Sequence, residues 1–119
     1  MQTDKTLRVS LIQQDIVWED KQINLEHISD ILSSLSGKTD IVVFPEMCTT
    51  GFSMNSHTLA EPVSGNTISR IKKYAAEYNL AVCGSFIAKD GDDYYNRAFF
   101  ITSEKEYYYD KRHLFRMGH

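Results

Sequence analysis

Two charged residues stand next to strand-like runs and have the side-chain types that acid–base chemistry needs. Glu46 follows the apolar run at 41–44, and Lys111 follows the tyrosine-rich run at 107–110. In α/β proteins, reactive groups gather just beyond the carboxyl ends of strands, where loops present side chains over a rigid support. If both residues reach one sheet edge, Glu46 is a candidate general base and Lys111 a candidate stabiliser of developing negative charge. The residues alone leave open a second interpretation, in which both are solvated strand-end side chains.

The hydrophobic pattern predicts the elements that must position these two residues. Apolar residues alternate in 7–14, which is typical of a strand, and recur every three to four residues in 18–37, which is typical of an amphipathic helix. Asp20 is the predicted N-cap of this helix, and Gly37 is its predicted stop. The later elements are predicted to be a buried strand at 39–46, a long and partly ordered loop at 47–65, a helix at 66–80, a hairpin of strands at 81–89 and 94–103, and a last strand at 106–115. This order predicts an α/β protein with a mixed β-sheet and flanking helices.

Length and composition exclude several classes of protein. The chain has 119 residues, enough for one domain, and its hydrophobic content of 42% argues against disorder. The net charge of −3 offers no basic surface to nucleic acid or anionic lipid, and no apolar run is long enough for a membrane helix. The N-terminal residues lack a signal-peptide pattern, so we expect a cytoplasmic protein with reduced thiols. No glycine-rich loop follows a strand, which weakens the alternative of a nucleotide-binding α/β module.

The cysteines, the histidines and one polar pair are the remaining candidates for chemistry. The four histidines and two cysteines show no ligand spacing, so we predict no metal site. Cys48 lies two residues after Glu46, a short spacing that usually points two side chains in different directions. Cys83 lies in an apolar strand, where we expect it to pack in the core as a small hydrophobe. Asn96 and Arg97 are expected to form a structural hydrogen bond or salt bridge.

Two segments together resemble the first two signature blocks of the nitrilase (carbon–nitrogen hydrolase) superfamily. They read VVFPEMCTTGF at 42–52 and YYYDKRHLF at 107–115, and a helix and a hairpin containing YYNRAFFI separate them. The opening residues, with Asn24 near the head of the first helix, are also similar to the start of that family. Within the superfamily, the sequence YDKRHLF resembles that of the omega-amidase-like branch. The resemblance implies an α-β-β-α sandwich, with residues 1–119 as the N-terminal part of one hydrolase domain without an internal boundary.

The same resemblance implies a Cys–Glu–Lys triad and an amidase reaction. Glu46 matches the general base, and Lys111 matches the residue that stabilises the oxyanion. The matching nucleophilic cysteine falls in a third block, which is not present in this chain. The implied reaction converts a small terminal amide, such as a 2-oxo dicarboxylic acid monoamide, to a carboxylate and ammonia through a cysteine thioester. Phe52 is either a residue of the acyl pocket or a core aromatic.

The resemblance also sets expectations for cofactors and partners. No cofactor is required, the partners are a small amide and water, and the protein is expected to form a homodimer or a higher homo-oligomer. We expect the 119 residues to be part of a longer enzyme and to be inactive alone. The alternative is a catalytically inactive binding or partner module, which has a base and an oxyanion donor but no nucleophile.

Overall fold

A computed structural model of the chain describes residues 6–116, and the side chains of residues 6–114. The elements, in chain order, are β1 Val9–Leu11, α1 Lys21–Leu35, β2 Ile41–Val43, α2 Ser56–Leu59, α3 Asn66–Tyr78, β3 Ala81–Asp90, β4 Asp93–Ile101 and β5 Glu106–Arg116. The strands form one five-stranded sheet in the order β1-β2-β3-β4-β5. β1, β2 and β3 are parallel, while β4 runs antiparallel to both β3 and β5. The predicted mixed sheet with flanking helices is therefore confirmed.

The two long helices pack on one face of this sheet. The Asp20 side chain accepts a hydrogen bond from the Ile23 N–H and so caps α1 as predicted, and Gly37 follows the helix with a φ of 81°. The apolar faces of α1 and α3 share one core cluster with the sheet side chains that point toward them, namely Leu25, Ile28, Leu32, Ile68, Ile71, Val42, Val82 and Ile101. None of the helices among the described residues combines the length and apolarity needed to cross a membrane.

The opposite face of the sheet carries apolar side chains that residues 6–114 leave largely uncovered, except near Ile87, where Met47 and Leu59 pack on it. A continuous cross-strand row on this face is formed by Leu11, Val43, Cys83, Phe100 and Tyr107. Leu11 is 79% exposed and Tyr107 is 54% exposed. We call this surface the open face. β1 is shorter than its alternating pattern predicted, since it pairs with the three residues of β2.

The segment 47–65 is more ordered than a partly ordered loop. It contains α2 and runs along the free edge of β3, beyond the point where β2 ends. The Ser85 side chain accepts a hydrogen bond from the Met47 N–H at 2.8 Å, and the Cys48 N–H donates to the Ser85 carbonyl at 3.2 Å. Further along, Glu61 exchanges backbone hydrogen bonds with the end of β3. The segment thus supplies hydrogen-bond partners to the edge of β3, as an irregular extra strand would. This pairing is long-range, and the sequence of the segment does not reveal it.

Candidate active site

Glu46 lies just beyond the carboxyl end of β2, as predicted. After Val43 the chain continues beside β3, where the Phe44 N–H donates to the Cys83 carbonyl at 2.8 Å. Met47 follows Glu46 with a φ of 50°, in the left-handed region that non-glycine residues seldom adopt. Its N–H is fixed by the buried Ser85 side chain. The turn that presents Glu46 is therefore a strained turn held in place by β3.

Lys111 does not lie just beyond the end of a strand, so that expectation is wrong, while the last strand predicted at 106–115, which contains it, is confirmed. It lies inside β5, because the long hairpin partner β4 extends the pairing to residue 116. Asn96 pairs with Arg112 and Arg97 pairs with Asp110, so Lys111 is the extra residue of a β-bulge. A bulge bends the strand and re-aims the side chain at that point. The bulge within β5 thus determines the direction in which the Lys111 side chain points.

The structure brings Glu46 and Lys111 into direct contact. The Lys111 ammonium lies 3.1 Å from Oε2 of Glu46, and the two side chains are 39% and 40% exposed. The second oxygen, Oε1, accepts a hydrogen bond from Nδ2 of Asn96 at 2.7 Å. The Lys111 hydrogen bond, followed by that of Asn96, holds the pKa of Glu46 below its ordinary value of 4.5. Glu46 is therefore an ionised carboxylate at neutral pH and is able to accept a proton.

This cluster belongs to the open face of the sheet. Asn96 pairs with Ile87, which shares the face of Cys83 and Ser85 by strand alternation. The bulge interrupts the alternation at Lys111, and it is the contact with Glu46 that places its ammonium on that same face. The helices α1 and α3 cover the other face, so the carboxylate and the ammonium are not enclosed by them.

Asn96 is a site residue whose contact with Glu46 the sequence did not predict. The predicted structural hydrogen bond exists, but its acceptor is the candidate base itself. Asn96 is fully buried in the middle of β4, beside Ile87, on the part of the open face where Met47 and Leu59 pack. An amide within an otherwise apolar central strand is the sequence signal that could have found it.

The structural salt bridge that was expected of Arg97 is confirmed. Its guanidinium binds Asp110 through two hydrogen bonds of 2.5 and 3.1 Å and also reaches Asp90 at 3.2 Å. Asp110 raises the pKa of Arg97 above its ordinary value. The bidentate pair fixes β5 one residue before Lys111 and so supports the bulge from the opposite side of the sheet.

Neither cysteine of the chain has the surroundings of a nucleophile. Cys48 is fully buried, its Sγ donates to the Ser85 carbonyl at 3.6 Å, and burial raises the pKa of its thiol to about 12. Cys83 is not a core residue, and that expectation is wrong: it is half-buried on the open face beside Phe100. Burial raises the pKa of Cys83 to about 11. Cys48 therefore occupies the core position that was expected of Cys83.

Phe52 is 61% exposed and is not a core aromatic in the part of the chain that the structure describes. It follows Gly51, which has a φ of 79° and packs closely against the Trp18 ring. A role of Phe52 in an acyl pocket stays a prediction. Among residues 6–116, no group of three or more His, Cys, Asp or Glu side chains is arranged to hold a metal ion.

A mixed sheet covered by helices on one face, with Glu46 and Lys111 in contact on the other, agrees with the nitrilase-type α/β fold that the resemblance implied. The family model described as carbon-nitrogen hydrolase matches residues 8–119. The chain therefore belongs to the carbon-nitrogen hydrolase family.

Curated relatives and solved structures agree with this assignment. The chain is 37% identical to an omega-amidase of Yersinia enterocolitica over 95% of its own length, and 28% identical to a 2-oxoglutaramate amidase of Bacillus subtilis over 92%. It covers 44% of each of these proteins. Among solved structures, a CN-hydrolase superfamily protein from Xanthomonas campestris, which carries an arsenic adduct in its active site, is 37% identical to this chain. The two superpose with a TM-score of 0.84, and the match covers 94% of this chain and 43% of that one. An amidase from Nesterenkonia shares the fold at 22% identity and a TM-score of 0.77, over 88% of this chain and 42% of that one. The chain thus spans less than half the length of the relatives that it matches.

Proposed function

We propose that residues 1–119 are the N-terminal part of an amidase that hydrolyses the terminal amide of a small dicarboxylic acid. The observation that carries the proposal is the contact between Lys111 and Glu46 at 3.1 Å on the open face of the sheet. A 2-oxo dicarboxylic acid monoamide is the favoured substrate class, since relatives at 37% and 28% identity are an omega-amidase and a 2-oxoglutaramate amidase. The products are a carboxylate and ammonia.

Glu46 is the proposed general base of the reaction. It takes the proton of a cysteine thiol as the sulfur attacks the amide carbon, so that an S–C bond forms and the carbonyl electrons move to oxygen. Glu46 then gives this proton to the leaving nitrogen, the C–N bond breaks, and ammonia departs from a thioester. Water attacks the thioester with Glu46 again accepting a proton, which releases the acid and restores the thiol. A carboxylate that is ionised at neutral pH meets the first requirement of this cycle.

Lys111 is the proposed stabiliser of the tetrahedral intermediate. The negative charge that develops on the carbonyl oxygen is stabilised by the electrostatic attraction of a nearby cation, which lowers the barrier. The bulge of β5 fixes the backbone at Lys111, and its ammonium lies beside Glu46. From there the side chain of Lys111 is proposed to reach the carbonyl oxygen of a substrate bound next to the base.

The nucleophilic cysteine is proposed to lie outside these 119 residues. Both thiols of the chain have raised pKa values, about 12 for Cys48 and about 11 for Cys83, which disfavours the reactive thiolate. The chain also spans only 44% of the omega-amidase of Yersinia enterocolitica. A cysteine carried by a segment that packs on the open face would reach Glu46 and Lys111. Phe52 on the adjacent loop is proposed to line the acyl pocket, and the assembly is proposed to be a homo-oligomer.

The test is ammonia release by the complete protein from 2-oxoglutaramate. We expect turnover by the wild type and, for Lys111→Met, a loss of about 100- to 1000-fold in kcat. Lys105→Met, at the turn between β4 and β5, is the matched control and should retain wild-type turnover. Ammonia release by Lys111→Met at the wild-type rate would remove Lys111 from the mechanism.

A second candidate function is an inactive binding or partner module, which the raised thiol pKa values favour for the 119 residues taken alone. The intact mass of the purified native polypeptide separates the two candidates. A mass near twice the 13.7 kDa of these residues supports the amidase. A mass of 13.7 kDa, together with amide binding but no ammonia release, supports the module.

A further inference from the structure

Glu46 is bound by two donors of different kinds, and one of them has no assigned part in the chemistry. Lys111 holds Oε2 with a charged, partly exposed side chain, while Asn96 holds Oε1 with a neutral, fully buried one. We infer that Asn96 is a positioning residue, which keeps the carboxylate of Glu46 in its working orientation while Lys111 serves the oxyanion. This inference rests on the proposed function of Glu46 and Lys111.

The position of Asn96 makes it a rigid donor. It lies on β4 between two strands, paired with Ile87 of β3 and with Arg112 of β5. It is 0% exposed, so its side chain has little room to leave its rotamer. Lys111, at 39% exposure and on a long flexible stem, is free to shift toward a new partner. Of the two donors, Asn96 is therefore the one that fixes geometry.

The orientation of the Asn96 amide is determined by Glu46. Nδ2 donates at 2.7 Å, and a flipped amide would turn Oδ1 toward a carboxylate oxygen, leaving two acceptors in contact. In the observed orientation Oδ1 is buried and finds no hydrogen-bond partner within residues 6–114. A buried acceptor without a partner lowers stability, and such groups are concentrated where function requires them. The amide is thus retained for its donor.

A neutral donor holds Glu46 without adding a further positive charge beside it. Lys111 and, more weakly, Arg112 already lower the pKa of the carboxylate through their charges. When Lys111 turns toward the developing oxyanion, its hold on Oε2 weakens, yet the hydrogen bond from Asn96 to Oε1 persists and keeps the direction of the carboxylate. Asn96 therefore separates the task of orienting Glu46 from the task of stabilising charge.

Removal of this donor has a measurable consequence that a purely structural role would not have. The Asn96 hydrogen bond contributes to the lowered pKa of Glu46, so its loss moves that pKa upward. On the acid side of its pH profile, kcat/KM falls as the base of the free enzyme becomes protonated. This acid limb of the profile must therefore shift with the pKa of Glu46. A merely destabilised protein would show less folded enzyme with an unchanged limb.

The experiment compares Asn96→Ala and the isosteric Asn96→Asp with the wild type in the complete protein. The readouts are the pH dependence of kcat/KM for 2-oxoglutaramate and the titration of the Glu46 carboxyl followed by carbon NMR. We expect Asn96→Ala to move both the acid limb and the Glu46 titration upward by about 0.5 to 1 pH unit, with kcat about 10-fold lower and KM little changed. Asn96→Asp, which sets a carboxylate against Glu46, should move both further.

Asn24→Ala is the matched control. Asn24 is also fully buried, and it hydrogen-bonds the carbonyls of Val17 and Thr49 rather than Glu46. It should lower the melting temperature and leave the Glu46 titration at the wild-type position. A Glu46 titration that is the same in the wild type and in both Asn96 variants would overturn the inference. Absence of ammonia release in the wild type would instead overturn the proposed function, and the NMR titration would still decide the role of Asn96.

Discussion

At the scale of single residues, the contact between Glu46 and Lys111 is better explained by chemistry than by stability. Ion pairs of about 40% exposure, as here, contribute only ~0–1 kcal/mol to the free energy of unfolding, since water competes for both charges. Yet Glu46 is presented by a strained turn, and Lys111 by a bulge. Such costs are typical of positions that a protein maintains for function.

Substitution of Cys48 tests whether its thiol is the nucleophile. We predict that Cys48→Ala in the complete protein lowers the free energy of unfolding by about 1 kcal/mol, because it removes one buried sulfur from the core. The same variant should keep kcat/KM for amide hydrolysis within about two-fold of the wild type, since the raised pKa of this thiol keeps it protonated. Urea unfolding and an ammonia assay measure the two quantities. A loss of activity as large as that of a triad residue would show that Cys48 is the nucleophile after all.

The position of Glu46 was predicted from the sequence for a simple physical reason. A carboxylate that directly follows a buried strand must emerge at the sheet edge, so this position depends on local pattern alone. The strand-end argument was wrong for Lys111, which was named as a candidate chiefly through the resemblance of its segment to the nitrilase superfamily. The contact of Asn96 with Glu46 depends on the register of β4 against β3 and on the turn at Met47. Neither can be derived from the local sequence, and so this partner was not predicted.

At the scale of elements, Glu61 connects the two helices to the sheet. Its carboxylate accepts hydrogen bonds from Lys21 at the start of α1 and from Thr67 at the start of α3, and its backbone bridges to β3 at Ala88. Burial raises the pKa of Glu61, but the hydrogen bonds from Lys21 and Thr67 outweigh it and hold the pKa below 4.5. The ion pair with Lys21 is 2.7 Å long and mostly buried.

This connection predicts a pH-dependent stability. Because the folded pKa of Glu61 is lowered, its stabilisation is complete above the ordinary value of 4.5 and is lost as pH falls through the folded value. We expect Glu61→Gln to reduce the free energy of unfolding by about 1–3 kcal/mol at pH 6 and by clearly less at pH 3. Urea unfolding at both pH values tests this, with the exposed Glu104→Gln as control. An equal loss at both pH values would contradict the assigned role of the charge.

The elements themselves were predictable to different degrees. Both long helices and the hairpin follow from periodicity and from capping residues such as Asp20, because those signals act within a few residues. The last strand was predicted at 106–115 and is β5, but the bulge at Lys111 was missed, since it is set by the register against β4 and not by the strand's own pattern. The ordered path of 47–65 was missed for the same reason, as its hydrogen bonds go to the distant β3.

At the scale of the whole molecule, the open face is the dominant feature. Apolar side chains from all five strands line it, and Leu11 and Tyr109 are 79% and 72% exposed. In an α-β-β-α sandwich this face of the sheet packs against a second sheet. The candidate site shares the face, so any segment that covers it also approaches Glu46.

Covering of this face has a direct test in the complete protein. We predict that Leu11→Lys lowers its free energy of unfolding by about 2–4 kcal/mol, because a charge would be placed in an apolar interface. Ser34→Lys, on the solvent side of α1, should change it by less than about 0.5 kcal/mol. Equal and small effects of both substitutions would show that the open face faces water in the complete protein as well.

The most direct test of the amidase mechanism is the activity of Glu46→Gln in the complete protein. This substitution keeps the size of the side chain and removes its ability to accept the thiol proton. Ammonia release from 2-oxoglutaramate should fall by about 100-fold or more in kcat, with the fold unchanged by circular dichroism. Turnover by Glu46→Gln within a few-fold of the wild type would contradict the assignment of Glu46 as the general base.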